Sequence, residues 1–183
     1  MQTYQLVPHG SFAPRDVSRV TLRWSSLPDG RLMLRYRVDG CESLVVPDFR
    51  GKGRGDDLWQ HTCFELFLYD GEGRYREFNF SPCQQWAAYR FAGYRNGRED
   101  FEPVVHPDIA HERGRTVFTL TTFLSARELE GAQMAAATAV IEEEGGRPSY
   151  WAMVHNRIEP DFHDPMAFRI RLDTESAGAG DAA

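Results

Sequence analysis

The stretch DLWQHTCFELFLYDGEGRYREFNFSPCQQWAAYRF, from Asp57 to Phe91, brings together Trp59, His61, Glu65, Glu77, Asn79, Gln84, Gln85 and Trp86. A sugar or similar polyol needs flat aromatic surface for its C–H faces and a few fixed acids or amides for its hydroxyls, and this stretch supplies both. If Tyr75 to Phe80 pairs with the strand that starts at Thr62, Glu77 and Asn79 share one face. Glu65 then lies on the mixed face of the first strand, and two carboxylates become neighbours. Trp59 and Trp86 would be stacking platforms, while Glu65, Glu77 and Asn79 would take hydroxyls. Two other uses of the same residues stay open. The tryptophans would cover the edges of β-structure with an arginine satisfying Glu65, or the carboxylates would hydrolyse a glycoside, which demands a specific separation between them.

A second candidate is YWAMVHNRIEPDFHDP, from Tyr150 to Pro165. Its front half alternates as a strand, with Trp151, Met153 and His155 on one face, and Trp151 joins the candidate ligand-binding set. In its back half Asp161, His163 and Asp164 stand between Pro160 and Pro165. The limited backbone freedom suits a rigid turn or a loop that closes one side of a site. His155, His163 and Asp161 offer metal-binding side chains, but no HExxH or CxxC spacing accompanies them, so no metal site is expected. No cofactor is expected either; haem is the alternative, with Met153 paired with His155, His61 or His163, although no CxxCH attachment is present. No GxSxG occurs, and Cys63 and Cys83 lie inside apparent strands rather than at a strand-to-helix elbow. GKGRG, from Gly51 to Gly55, lacks the Lys-Ser/Thr ending of a phosphate loop and reads as a mobile surface loop leading into Trp59.

The elements that must position these residues are short alternating runs separated by turns. VTLRW, then PDG, then LMLRYRV, then DG read as a β-meander. From Thr62, the alternate residues Phe64, Leu66 and Leu68 make an apolar face, and after the DGEG turn Phe78 and Phe80 point inward on the partner strand. Further strands are expected at 85–91, 116–123, 134–142, 149–155 and 167–172. Only SARELEG reads as helical, with Ser125 as cap, Glu128 three residues on and Gly131 as stop. The expected fold is an all-β, single-domain antiparallel β-sandwich of immunoglobulin-like or jelly-roll type over residues 1–173, with at most one short helix. Residues 174–183, small and polar, read as a disordered tail.

A chain of 183 residues, 42% hydrophobic and 13% aromatic, suffices for one substantial core. Its 21 Lys and Arg against 27 Asp and Glu give a net charge of -6. No basic cluster interleaved with aromatics occurs, so nucleic acid is not an expected partner. No apolar run approaches the ~18 residues of a membrane span. MQTYQLVPHG does not read as a signal peptide. Cys41, Cys63 and Cys83 match no zinc pattern and suit free thiols in a reducing compartment, so the cytoplasm is expected.

The blocks LWQHTCFELFL, YREFNFSPCQQWAAYRFAGYR and SYWAMVHNRIEPDFHDP, in that order, resemble the bacterial DOMON-like family, whose fold is similar to that of family 9 carbohydrate-binding modules. The resemblance implies a β-sandwich whose relatives hold sugars or haem on one sheet and its rim loops. It places Trp59 where carbohydrate-binding relatives stack a tryptophan, and Glu65 at the strand acid. Cys83, Gln84 and Gln85 depart from the small residue and glycine usual after FNFSP, and Arg157 and Glu159 stand where small residues are usual. The chain thus reads as a non-catalytic module for a small-molecule ligand, most naturally a carbohydrate. An interaction module, with its exposed aromatics against another protein or in a homodimer, is a further alternative.

Overall fold

The structure is a computed structural model that describes residues 1–172; the tail read as disordered lies outside the described residues. Alternating side chains and turn residues divide the chain into β1 (Gln2–Pro8), β2 (Arg19–Ser26), β3 (Arg31–Asp39), β4 (Gly53–Arg54), β5 (Cys63–Tyr69), β6 (Tyr75–Phe80) and β7 (Gln85–Phe91). There follow β8 (Glu99–Asp100), β9 (Asp108–Arg113), β10 (Val117–Ser125), β11 (Met134–Glu143), β12 (Arg147–Ala152) and β13 (Ile170–Arg171).

These strands form one sheet in the order β4-β7-β6-β5-β11-β12-β1-β2-β3-β10-β9, with β8 beside β7 and β13 beside β11. All pairings but the short β4–β7 contact are antiparallel. Strand β1 joins the two halves. Its residues Gln2 to Leu6 pair with β2, and Val7 and Pro8 pair with β12. The fold is therefore nearly all-β, as expected, but it is one curled half-barrel rather than two separate sheets.

Inside the curl, Leu22, Leu34, Tyr36, Phe118 and Leu120 of one half meet Phe64, Leu66, Phe78, Phe80 and Trp86 of the other. The Tyr36 and Phe64 rings lie 5.0 Å apart, and the Tyr36 hydroxyl donates to the Glu65 carbonyl at 2.6 Å. Each such side chain contributes ~1.5–3 kcal/mol on leaving water. The outer face of β5, β6, β7, β11 and β12 is covered as well: Cys63, Phe67, Tyr75, Tyr89, Phe91 and Val140 pack with Phe162 and Phe168 from the chain after β12. Strand β5 is thus buried on both faces up to Leu68, and the outer face carries the candidate site.

The described residues contain no α-helix, only 3₁₀ turns at Leu58–Gln60, Ala126–Leu129 and Pro165–Ala167. In SARELEG, Ser125 Oγ accepts the Arg127 N–H at 3.3 Å. Glu128, instead of closing a capping box, is buried and accepts the Val104 N–H at 2.6 Å and Arg76 at 3.4 Å. The strand expected at 149–155 ends at Ala152. The one expected at 167–172 shrinks to β13, because Asp164 caps the 3₁₀ turn that Pro165 opens.

Candidate ligand-binding site

Cross-strand register assembles a row of outward-facing groups on the outer face. Phe67 of β5 stands opposite Glu77 of β6, and Glu77 opposite Tyr89 of β7. Glu65, two residues before Phe67, shares that face. Above this floor opens a cavity of about 520 Å³, continued by Phe91, Val140 of β11 and Tyr150 of β12. Trp59 from the first 3₁₀ turn, Phe12 from the β1–β2 loop, Arg95 and Arg98 from the loop after β7, and Glu159, Pro160, Phe162 and His163 form its rim.

Both floor carboxyls are buried, with 2% of Glu65 and 6% of Glu77 exposed. Burial, and then the neighbouring Glu77 charge, push the Glu65 carboxyl up to about 8, against the pull of the Thr138 hydroxyl, which donates to Oε2 at 2.7 Å. At neutral pH Glu65 therefore keeps its proton. Burial raises Glu77 too, opposed by the Asn79 amide, which donates to Oε1 at 2.7 Å.

His163 faces Glu77, with 3.9 Å between Nε2 and Oε2. Burial and then the Arg95 charge hold the imidazole down to about 4, so it is neutral at physiological pH. Its Nδ1 lies 2.8 Å from the Tyr75 hydroxyl, which accepts the Arg95 backbone N–H at 3.1 Å. Burial pushes Tyr75 up to about 12, so the phenol keeps its proton. The other ring nitrogen, Nε2, is the one nearer Glu77.

Two anchors hold the rim. Asp161 accepts the Tyr94 hydroxyl at 2.6 Å, Arg95 Nη2 at 2.9 Å and the His163 backbone N–H at 3.1 Å, tying the loop after β7 to the loop after β12. Glu143 at the end of β11 accepts the backbone N–H groups of Arg15, Asp16 and Val17 at 2.7, 2.7 and 3.1 Å and the Ser43 hydroxyl at 3.2 Å. That fixes the loop whose Phe12 ring meets Tyr150 edge-on at 5.0 Å.

Of the residues expected at a site, Trp59, Glu65, Glu77 and His163 are brought together around the cavity. Asn79 is fully covered and supports Glu77 from beside it. Asp161 works as a latch between loops rather than as a cavity wall. Trp86 and Trp151, each 2% exposed, lie in the inner core. Trp86 pairs with Phe80 and so shares its inward face, while the Trp151 indole donates to Ser149 Oγ at 2.9 Å. Neither can stack on a ligand. His61 sits outside the cavity, 2.9 Å from Glu142.

The Met153–His155 pair of the haem alternative lies away from the cavity. Met153 packs against the inner core, whereas His155 Nε2 donates to the Val7 carbonyl at 3.0 Å, and neither lines the cavity. The candidate set also left out much of the site. Phe67, Tyr89, Phe91 and Tyr150 follow from strand parity, but Phe12, Arg95, Arg98 and Phe162 sit on loops that carry no periodic signal.

No family model matches the chain, and no curated protein matches it in sequence. Among solved structures it is similar to a protein from Bacteroides uniformis ATCC 8492 described as "a putative carbohydrate-binding protein", with a TM-score of 0.67 and 14% identity over 91% of this chain and 84% of that one. At that identity the likeness is one of fold. No helix among the described residues is long and apolar enough to cross a membrane.

Proposed function

We propose that the chain is a non-catalytic binding module, DOMON-like and akin to the family 9 carbohydrate-binding modules, that holds a small carbohydrate or sugar-containing metabolite against the outer face of β5, β6 and β7. One observation carries the reading: a cavity of about 520 Å³ combines aromatic walls with two buried carboxyls and an imidazole. Its size falls in the range of small-molecule sites, ~300–1,000 Å³. Trp59, 47% exposed at the rim, offers a free ring face for the C–H surface of a sugar. Protonated Glu65 donates to one hydroxyl, Glu77 accepts from another, and His163 Nε2 offers a further hydrogen-bonding position. The fold shared with a protein described as "a putative carbohydrate-binding protein" supports the same reading.

A thermal-shift screen of mono- and oligosaccharides, followed by titration of the hits, tests it. At least one saccharide should raise the melting temperature of the wild-type chain and lose that effect with Trp59→Ala. A screen without any saccharide hit would overturn the carbohydrate reading, and turnover of chromogenic glycosides abolished by Glu65→Gln would overturn the non-catalytic one.

A further inference from the structure

The floor of the cavity lacks a cation. Glu65 and Glu77 are both more than nine-tenths buried, and among the described residues no lysine or arginine bonds to either carboxyl. Each takes one short hydrogen bond from a neutral group, Thr138 on Glu65 Oε2 and Asn79 on Glu77 Oε1. Glu65 Oε1 and Glu77 Oε2 have no hydrogen-bond partner among the described residues, and neither is sealed from the cavity that both residues line. The cations at the rim are engaged elsewhere: Arg95 on Asp161 at 2.9 Å, and Arg98 over the Tyr89 ring at 4.7 Å.

Aromatic faces complete the enclosure, with Phe67 and Phe91 on the floor and Tyr150, Phe162 and Trp59 around it. Ring faces attract cations, and an ammonium group carries the donors that two unpartnered carboxyl oxygens lack. We propose that the ligand group seated between Glu65 and Glu77 is an ammonium, which makes the ligand an amino sugar. The sugar part of this assignment rests on the carbohydrate reading of the same cavity; the ammonium part does not.

Protons balance in a specific way. Without a ligand Glu65 keeps its proton, its carboxyl held up to about 8 by burial and by Glu77. The groups facing it are Glu77 from β6, Thr138 from β11, Tyr36 from β3 and Cys63 from its own strand, while Arg95 and Arg98 act on Glu77 from the rim. An arriving ammonium replaces that proton as the positive charge between the carboxyls, so Glu65 releases it to solvent. A neutral sugar uses the protonated carboxyl as a donor and releases nothing.

The experiment is isothermal titration at about pH 5.5, where Glu65 keeps its proton and the sugar amine, less basic than an α-amino group because of its neighbouring oxygens, is protonated, in two buffers of different ionisation enthalpy. Glucosamine oligosaccharides are compared with their N-acetylated and glucose counterparts and with methylammonium. The deacetylated oligosaccharide should bind about ten- to hundredfold more tightly than the other two sugars, the factor one charge-assisted hydrogen bond supplies. It should also release protons, a readout on the wild-type chain that needs no variant to fold. Glu77→Gln, nearly isosteric, should erase the preference. Equal affinity for all three sugars without proton release overturns the ammonium assignment and leaves the carbohydrate reading standing. Binding of methylammonium alone, lost in Glu77→Gln, supports the ammonium assignment and removes the carbohydrate. Absence of any binding overturns both.

Discussion

Glu65 ties the chemistry of the cavity to the stability of the fold, and Glu65→Gln is the change that exposes the link. The folded chain holds this carboxyl up to about 8, mainly by burial, whereas its ordinary value is 4.5. Below pH 4.5 folded and unfolded chains both carry the proton, and this group leaves the balance between them unchanged. Between pH 4.5 and about 8 only the folded chain binds it, so stability falls as pH rises through that window. At ~1.4 kcal/mol for each pH unit, the span from 4.5 to about 8 amounts to an upper figure of ~5 kcal/mol, shared with Glu77 through their mutual repulsion. Glutamine keeps the shape, and its amide oxygen can still accept the Thr138 hydroxyl, but it carries no titrating proton. Urea unfolding at intervals from pH 5 to pH 9 measures the effect. Wild type should lose several kcal/mol across the range, and Glu65→Gln should show a much flatter profile and be the more stable chain at the alkaline end. A variant profile as steep as wild type would refute the assignment of the buried proton to Glu65.

Other positions give separate expectations. Trp86→Ala should cost ~3–5 kcal/mol of stability, as truncating a core aromatic does, whereas Trp59→Ala, at the half-exposed rim, should stay within ~0.5 kcal/mol of wild type and lose ligand binding. Thermal denaturation beside saccharide titration separates the two. Glu143→Ala strands three backbone N–H groups and should cost ~3–5 kcal/mol in denaturant unfolding, with faster amide exchange at Arg15, Asp16 and Val17. Asp161→Ala unties the two rim loops and should weaken the titrated affinity more than it lowers the melting temperature.

What could be read from the sequence follows from how local each signal is. Period-2 alternation placed Phe64, Leu66, Leu68, Phe78 and Phe80 inward and Glu65 and Glu77 outward, because those strands meet through the DGEG turn. It failed for Trp86. The inward face of β7 depends on the residue count of the loop between Phe80 and Trp86, where Gln84 adopts a left-handed φ of 70° and brings the two aromatics opposite one another. Trp151 and Met153 do share a face, as expected, but β12 has packing on both sides, so alternation does not show which side meets the inner core.

Strands β1 and β9 escaped notice because each buries a single side chain, Leu6 and Ile109, leaving nothing periodic to see. The latch between Arg95 and Asp161 joins residues 66 positions apart, a distance at which no local pattern operates. The carboxyl pair on the cavity floor was legible as a pair, but its burial and the absence of a bonded arginine were not. Both depend on the loops after β7 and β12 covering the sheet.

The four tryptophans offer the most direct test of the central claim, since the wild-type chain should show four indole N–H resonances. Adding the tightest-binding saccharide to isotopically labelled protein should shift the Trp59 indole together with the backbone amides of Phe67, Glu77 and Tyr89. The core indoles of Trp86 and Trp151 should stay in place. Shifts confined to another surface, with Trp59 unmoved, would contradict the placement of the binding site on the outer face of β5, β6 and β7.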